Sequence, residues 1–432
     1  MNSKHQSVFY GWWVVLASSV GLFWGVPISV YSFSVFLKPL MQEFHAGRAA
    51  VSLGFTLHLI TGAALAPLLG WLLDRYGARR VILVGTSIFG MLLLANRAFS
   101  GSIWQLYLFY ILLGVFLHGG GPIPYGTVVC RWFDRHRGLA LGLMMLGIGL
   151  GAMLMPPIAQ QLITRFGWRT AYAILGGSLL FVALPVVAAL LKESPQELGL
   201  LPDGLPQRIA ATANGAVAQG LSAQEAWRGG TFWLMTCSFF LVSASAQGCV
   251  VHLAAMLGDR GITAQTAALG SSVVGAAVLI GRVGSGYLLD RIFGPRLAVI
   301  FFAGAALGIG LLLLGTPPVA FAGAFLVGLG LGAEVDVIAF LTGRYFGLRA
   351  FGKVYSSAFA AFALAAALGP LIMGAGFDRT GSYRGPLVAF FAANLLAAFL
   401  MSRLGPYRYL PTEAQAEEQV LEIQAEDEPC QV

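Results

Sequence analysis

Long stretches without a charged side chain alternate with short polar segments along nearly the whole chain. These stretches cover residues 11–37, 49–73, 81–96, 98–130, 138–164, 170–191, 229–258, 261–281, 297–333, 354–377 and 385–402. About 20 apolar residues in an α-helix are enough to cross the hydrocarbon layer of a membrane. Each stretch therefore predicts at least one membrane-spanning helix.

The stretch from 297 to 333 is too long for a single crossing. Its sequence Gly315-Thr-Pro-Pro318 contains the residue types that end helices and form turns. We therefore expect two helices there and twelve in the whole chain. The composition agrees, because 57% of the residues are hydrophobic, 10% are charged and the mean hydropathy is +0.78. Such values indicate a membrane protein rather than a globular one.

One polar segment is much longer than the other connections and separates six predicted helices from the next six. The predicted domains are an N-terminal six-helix bundle (1–191), a cytoplasmic linker (192–228), a C-terminal six-helix bundle (229–404) and an acidic cytoplasmic tail (405–432). Ser222 and Glu225 have the spacing of a capping box, which predicts a short helix at the end of the linker.

Positively charged residues are unevenly distributed between the two sides of the predicted helices. With both termini on one side, seventeen Lys and Arg residues fall on that side and eight on the other, while Arg282, the last of the 26, lies within a helix. Loops rich in Lys and Arg stay in the cytoplasm. We therefore expect a multi-pass protein of the plasma (inner) membrane with both termini cytoplasmic. This bias explains the net charge of +7 without a nucleic-acid partner.

The two halves share short sequences at nearly constant spacing. GWLLDR at 70–75 returns as GYLLDR at 286–291, 216 positions later (286 − 70). RWF at 131–133 returns as RYF at 344–346, 213 positions later (344 − 131). Such spacing indicates a duplicated six-helix unit. Duplicated units of this kind are typical of membrane transporters.

Three charged residues lie deep within predicted helices. Arg282 precedes Asp290, at the inner end of helix 8, by eight residues, and Asp336 precedes Arg344, at the inner end of helix 10, by eight. Both therefore lie about 12 Å from that end and can reach each other or a shared ligand. Glu334, two residues from Asp336, points the other way. We expect one carboxylate to face Arg282 or the cavity and the other to anchor a neighbouring helix.

Arg282 is the most informative of these residues. An Arg within a membrane costs at least about 2.5 kcal/mol and must face protein or a water-filled cavity. Its planar guanidinium can hold a carboxylate through two hydrogen bonds. The alternative is a structural ion pair.

Several segments resemble a known transporter family. The sequence at 70–80 is similar to the loop 2–3 signature of the major facilitator superfamily, and the segments at 10–13, 131–142 and 192–204 resemble its monocarboxylate porters and their bacterial relatives, including oxalate/formate exchangers. The resemblance covers the chain apart from its tail. It implies the major facilitator fold, an all-α membrane protein whose twelve transmembrane helices form two pseudo-symmetric six-helix bundles.

The resemblance also implies candidate substrate-binding residues. The related transporters bind their organic anion with an Arg at the position of Arg282, and Tyr31, His58 and Tyr125 match positions that line the cavity in the bacterial relatives. Packing against neighbouring helices is the alternative for these three. His118, near the middle of helix 4, is a candidate for substrate contact or proton sensing. A buried structural histidine is the alternative there.

Some residues differ from those of the family, and these differences affect how transport can be coupled to protons. Animal monocarboxylate porters have an Asp where this chain has Val278 and a Lys near the position of Tyr31. Proton coupling then needs another group, and Glu334 or Asp336 is the candidate, with structural pairing as the alternative. The Arg that drug antiporters carry in helix 4 has no counterpart between 98 and 130, which disfavours drug export.

The duplicated loops combine acids with bases, and such exposed pairs are easily broken and remade. We expect them to hold the halves together when the cavity opens outward, with plain anchoring to the membrane surface as the alternative. The gating candidates are Gly70, Asp74, Arg75, Arg79, Asp290 and Arg291.

The sequence has no GxxxxGK[ST] loop, no HExxH motif and no spaced Cys/His set, so we expect no cofactor, no metal and no enzyme activity. The prediction is a monomeric secondary active transporter that moves a small organic anion, such as a monocarboxylate, by alternating access. Coupling is to a co-transported proton or to a counter-anion. The alternatives are export of another small solute or drug, and a membrane receptor that does not transport.

Overall fold

The computed structural model describes residues 9–98, 101–133, 136–202, 220–289, 291–314, 316–347 and 349–409. The described chain consists of membrane-length helices joined by short turns. In the first half, α1 comprises Gly11–Val26, a π-helical turn over Pro27–Tyr31 and Phe33–Phe44; α2 is Arg48–Tyr76 and α3 is Ala78–Ala95; α4 comprises Ile103–Leu117, a 3-10 turn over His118–Gly120 and Pro122–Trp132. In the second half, α7 is Gly230–Asp259, α8 Ala264–Leu289, α9 Gly294–Leu314, α10 Pro317–Phe346, α11 Phe351–Thr380 and α12 Arg384–Ser402.

The remaining helical stretch, Arg137–Leu190, contains two crossings. It has 54 residues, or about 80 Å of helix against a hydrocarbon layer of about 30 Å. Gly167 interrupts it with a φ of 77°, a conformation that glycine adopts without steric cost. We therefore divide it into α5 (137–166) and α6 (168–190). Gly381, 214 positions later (381 − 167), turns the chain between α11 and α12 with a φ of 67°.

The structure confirms twelve crossings and the break within the longest apolar stretch, since α9 ends at Leu314 and α10 begins at Pro317. The capping box in the linker is also confirmed. Ser222 accepts a hydrogen bond from the Glu225 amide at 3.3 Å, the Glu225 carboxylate accepts one from the Ser222 amide at 2.7 Å, and the short helix Ala223–Arg228 follows. The other predictions for the linker and the tail concern residues 203–219 and 410–432, which lie outside the described residues.

Helix packing follows the predicted repeat. Within the first six helices α1 packs on α5, α2 on α4 and α3 on α6, and within the last six α7 packs on α11, α8 on α10 and α9 on α12. Between the two sets, α2 contacts α11, α5 contacts α8 and α1 contacts α7. We call the end of the molecule that carries the α2–α3 turn and the linker the linker end. The opposite end, which carries the α1–α2 and α7–α8 turns, is the distal end.

Among the described residues, the hydrophobic core joins the two halves at one end only. At the distal end a single cluster joins both halves, with Phe36 and Tyr172 from the first half and Val250 and Phe390 from the second. Toward the linker end the described core separates into two clusters, one from each half. The described chain is therefore closed at the distal end and open at the linker end.

Glycines permit the closest contacts between the halves. A Cβ atom on Gly275 of α8 would lie 2.4 Å from the carbonyl carbon of Ala152 in α5, and one on Gly374 of α11 would lie 2.7 Å from the amide nitrogen of Ala49 in α2. No side chain fits at such distances without moving a helix backbone. These positions hold the distal end shut.

We predict that Gly275→Ala destabilises the distal-closed form by about 1–3 kcal/mol, because the added methyl group overpacks the α5–α8 contact. Gly284→Ala, in the same helix but with open space around its Cβ position, is the matched control and should be neutral or slightly stabilising. Thermal unfolding of the purified variants measures the difference. Equal unfolding temperatures for Gly275→Ala and the wild type would contradict this packing.

Candidate functional site

Close contact between α8 and α10 builds the centre of the second half. A Cβ atom on Gly281 would lie 2.3 Å from the carbonyl oxygen of Leu329, and one on Gly332 would lie 2.3 Å from that of Val278. The two backbones can touch only because these positions are glycines. The contact places the neighbouring charged residues of the two helices side by side.

Arg282 and Asp336 face each other across this contact. The Arg282 Nε atom lies 3.9 Å from the Asp336 Oδ2 atom, and the side chains are 29% and 38% exposed. The distance exceeds that of a hydrogen bond. Among the described residues the Arg282 guanidinium makes no hydrogen bond, and its Nε atom is buried without a partner. The Arg282 guanidinium therefore makes one long ionic contact, and its N–H donors have no acceptor among the described residues.

Glu334 occupies a different environment, as the helical geometry predicts. It is 1% exposed, and neither carboxylate oxygen has a hydrogen-bond partner within the described part of the chain. Asp336 is thus the carboxylate that faces Arg282. The expected anchoring contact of the other carboxylate to a neighbouring helix is not made among the described residues.

Two tyrosines approach this charged group. Tyr31 ends the π-helical turn of α1, and the Arg282 charge acts on its hydroxyl group. Tyr355 of α11 lies within the electrostatic reach of Asp336. The site thus includes both halves of the chain. Sequence reasoning missed Tyr355, although a tyrosine followed by two serines in an otherwise apolar helix was an available signal.

The other three predicted substrate-binding residues lie inside the first half. Tyr125 is fully buried, with its hydroxyl group against Gly21 of α1. His58 is fully buried between α2 and α4, beside Tyr110, and both its ring nitrogens lack a hydrogen-bond partner among the described residues. The structure does not bring either residue to Arg282. Their surroundings agree with the packing alternative.

His118 marks an interruption in α4. The helix changes to a 3-10 turn there, and the His118 Nδ1 atom lies 2.9 Å from the carbonyl oxygen of Gly114. The imidazole packs against Gly62 of α2, where a Cβ atom would lie 1.9 Å from the ring. His118 therefore lies between α2 and α4, near His58.

The gating candidates that the structure describes at the linker end make no contact between the halves. Gly70 has no neighbour within 4 Å of its Cβ position. Asp74 and Arg75 are exposed, and Asp74 forms no ion pair in the described part of the chain. Arg291 lies over the Tyr287 ring at 3.6 Å, within its own half. Asp290 is outside the described residues.

Arg79 instead stabilises the first half. Its side chain donates to the carbonyl oxygen of Ala188 at 2.9 Å, and its amide donates to the Glu193 carboxylate at 2.6 Å. Glu193, which also pairs with Arg131, caps the start of α3. In the second half Tyr407, 214 positions later (407 − 193), accepts a hydrogen bond from the Gly294 amide at the start of α9 at 2.6 Å.

A polar cluster joins the halves at the distal end. Arg48 of α2 pairs with Asp259 of α7 at 2.6 Å, and Lys38 of α1 pairs with the same carboxylate at 2.8 Å. Asp378 accepts hydrogen bonds from the amides at the start of α2. We call the cluster the distal latch; its members are Lys38, Arg48, His252, Asp259, Asp378 and Tyr383. No feature of the sequence predicted this cluster, because charges at helix ends resemble ordinary loop charges.

Within the described residues no group of three His, Cys, Asp or Glu side chains could hold a metal ion. The arrangement can bind an anion through Arg282 and carry a proton on Glu334 or Asp336.

Comparison with known proteins agrees with this architecture. The profile of the Major Facilitator Superfamily matches residues 20–333 and 235–426. Monocarboxylate transporter 11 of Mus musculus is 29% identical over 93% of this chain and 89% of its own length. The uncharacterized MFS-type transporter YcxA of Bacillus subtilis (strain 168) is 25% identical over 63% of this chain and 64% of its own.

A solved structure also shares the fold. The crystal structure of a bacterial homolog to the human lysosomal transporter Spinster, described as inward-facing and unoccupied, superposes with a TM-score of 0.66 at 17% identity, over 93% of this chain and 96% of that one. The helix arrangement and the matched profile together show that the chain belongs to the Major Facilitator Superfamily and is a multi-pass membrane transporter, not an enzyme.

Proposed function

We propose that this transporter moves a small organic anion, with a monocarboxylate as the best candidate, by alternating access between its two halves. The observation that carries the proposal is the Arg282 guanidinium, which makes no hydrogen bond among the described residues and has a single ionic contact at 3.9 Å. A cation in the middle of a membrane protein needs a partner. A carboxylate satisfies it through two parallel hydrogen bonds.

Tyr31 gives the site a second polar group from the other half. We place the ligand between Arg282 and the Tyr31 hydroxyl group, so that one small acid contacts both halves. A ligand that bridges the halves stabilises the state in which the cavity is closed around it, which alternating access requires.

Asp336 holds Arg282 while the site is empty. The contact is loose and partly exposed, so an incoming carboxylate can compete for the guanidinium at little cost. The Arg282 charge is then never unpaired during the cycle. This arrangement explains why an acid lies beside the cation in an anion site.

The named relatives support the choice of substrate. Monocarboxylate transporters 11 of mouse and 13 of cow are 29% and 30% identical to this chain over 93% and 66% of its length. The substrate class in these names is that of the relatives themselves. Together with an available guanidinium, they make a monocarboxylate the first substrate class to test.

The excess of Lys and Arg in the loops on one side predicts the orientation of the protein in the membrane. With both termini cytoplasmic, in the plasma membrane, the linker end faces the cytoplasm and the described conformation is open inward. Asp74, Arg75 and Arg291 are exposed at that end. They are free to form contacts between the halves when the linker end closes.

Glu334 is the candidate for proton coupling. An ionised carboxylate that is 1% exposed and has no partner among the described residues would carry a large desolvation penalty. We propose that Glu334 is protonated in this conformation and exchanges its proton when the halves move. Exchange against a second anion remains the other mode of coupling.

We predict that Arg282→Gln abolishes uptake of labelled lactate, pyruvate, formate and oxalate into proteoliposomes, because the amide cannot neutralise a carboxylate. Arg282→Lys, which keeps the charge but loses the planar fork, should retain a small fraction of the uptake. Each variant is compared with the wild type at equal reconstitution.

Failure of the wild type to take up any of these acids, with or without a gradient, would contradict the anion proposal. Uptake that is unchanged in Arg282→Gln would remove Arg282 from the site. A different solute would then have to be sought.

We predict that Glu334→Gln removes the stimulation of acid uptake by an inward proton gradient, while exchange of labelled for unlabelled acid persists. The amide fits the same space but cannot carry a proton. Asp336→Asn is the matched control, because it changes the carboxylate that faces Arg282 instead, and it should keep a gradient response. A full gradient response in Glu334→Gln would exclude Glu334 as the proton carrier.

A further inference from the structure

His252 occupies the centre of the distal latch and is fully buried. Its Nε2 atom lies 2.9 Å from the carbonyl oxygen of Pro370 and 3.1 Å from the Ser52 hydroxyl oxygen. A carbonyl oxygen can only accept a hydrogen bond, so the Nε2 atom must carry a hydrogen. Ser52 belongs to α2 and His252 to α7, so this contact joins the two halves.

The other ring nitrogen is then an acceptor in the neutral imidazole. The His252 Nδ1 atom lies 2.9 Å from the Tyr383 hydroxyl oxygen, and that hydroxyl group accepts a hydrogen bond from the Arg48 guanidinium. The Tyr383 hydroxyl hydrogen therefore points at the Nδ1 atom. With a neutral imidazole, Arg48 donates to the Tyr383 oxygen and the Tyr383 hydroxyl group donates to the His252 Nδ1 atom.

A second proton on His252 is incompatible with this chain. The Nδ1–H group would face the Tyr383 oxygen, which already accepts from Arg48, and the tyrosine hydrogen would lose its acceptor. A buried donor without a partner costs about 1–3 kcal/mol. The closed latch therefore accepts only the uncharged form of His252.

The charges around His252 are balanced without it. Arg48 on α2, Asp378 on α11 and Asp259 on its own helix act on the ring, and Lys38 of α1 pairs with Asp259. Two cations face two carboxylates. A charged imidazole would leave the buried cluster with an excess positive charge beside the Arg48 guanidinium.

Solvent reaches the edge of the latch from the distal side. A cavity of about 330 Å³ lies between α1, α5, α7 and α8, and Lys38 and Gly258 line it. Water there can separate the exposed Lys38–Asp259 pair first. Opening then exposes His252, which can take up a proton.

We propose that His252 is a proton sensor of the distal gate: the gate closes around the neutral imidazole, and protonation of His252 from the distal side favours the distal-open conformation. The sign follows from linkage, because the open state binds one more proton than the closed state. Acidification therefore opens the distal end. The proposal concerns the gate and does not depend on the identity of the substrate.

The experiment measures the opening of the distal end in the absence of substrate. Spin labels are placed at Arg165→Cys and Thr316→Cys, exposed positions at the distal end of the two halves, in the full chain with its native cysteines replaced. Distances are measured in proteoliposomes from about pH 8 to about pH 5, across the range in which histidine titrates. The ratio of the long-distance to the short-distance population should rise with acidification by up to about tenfold per pH unit, the limit for one proton.

His252→Gln should abolish this rise, because glutamine can donate to Pro370 and accept from Tyr383 but does not titrate. His45→Asn is the matched control. His45 is an exposed residue at the same end with a φ of 48°, a conformation that Asn tolerates, and this variant should respond as the wild type does. Tyr383→Phe, which removes the hydroxyl group but keeps the histidine, should weaken the response and favour the open form near neutral pH.

A wild type with no change in distance over this pH range would overturn the proposal. So would an unchanged response in His252→Gln. A response that disappears in Glu334→Gln but persists in His252→Gln would assign the sensor to the central site instead. Because no substrate is present, none of these results affects the anion proposal.

Discussion

A charged group inside a membrane must be paired or solvated, and this constraint organises the described structure. Arg282 and Asp336 satisfy it at the centre, where they contact each other loosely and share a partly exposed space. Arg48 and Asp259 satisfy it at the distal end, where they contact each other tightly and join the halves. The difference in distance, 3.9 Å against 2.6 Å, separates a cation that is available to a ligand from one that is committed to the protein.

The two repeats use equivalent positions for different purposes. Glu43, at the end of α1, binds Arg169 at 2.7 Å within its own half. Asp259, 216 positions later (259 − 43), lies at the end of α7 and binds Lys38 and Arg48 of the other half. Glu43 thus stabilises the first half, whereas Asp259 joins the two halves at the distal end. A duplicated unit can acquire a moving interface in this way, because the second copy of an interaction is free to change partners.

The sequence predicted the features that depend on local pattern. Apolar length located the helices, the prolines after Leu314 located a turn, and Ser222 with Glu225 located a cap. Equal spacing from the helix ends also placed Arg282 and Asp336 at one depth, which their ion pair confirms. These features need no knowledge of which helices are neighbours.

Features that depend on helix neighbours were out of reach. Tyr125 and His58 match cavity positions by resemblance, and both are buried within the first half, because rotation of a helix about its axis is set by packing. Their role in substrate binding stays a prediction. Tyr355 was missed although its sequence signal was available, and the distal latch was missed because charges at helix ends look like ordinary loop charges. Gly281, Gly328 and Gly332 explain the limit, since three glycines among 56 meet the partner helix where α8 and α10 touch. Composition cannot single them out.

The central claim is that Arg282 holds the carboxylate of a small acid. A high-resolution structure of the protein with a bound acid from the transported panel tests it most directly. The account predicts both carboxylate oxygens within about 3 Å of the Arg282 guanidinium, with Asp336 displaced and the Tyr31 hydroxyl group close to the ligand. A bound acid elsewhere in the molecule, with the Arg282–Asp336 contact intact, would contradict it.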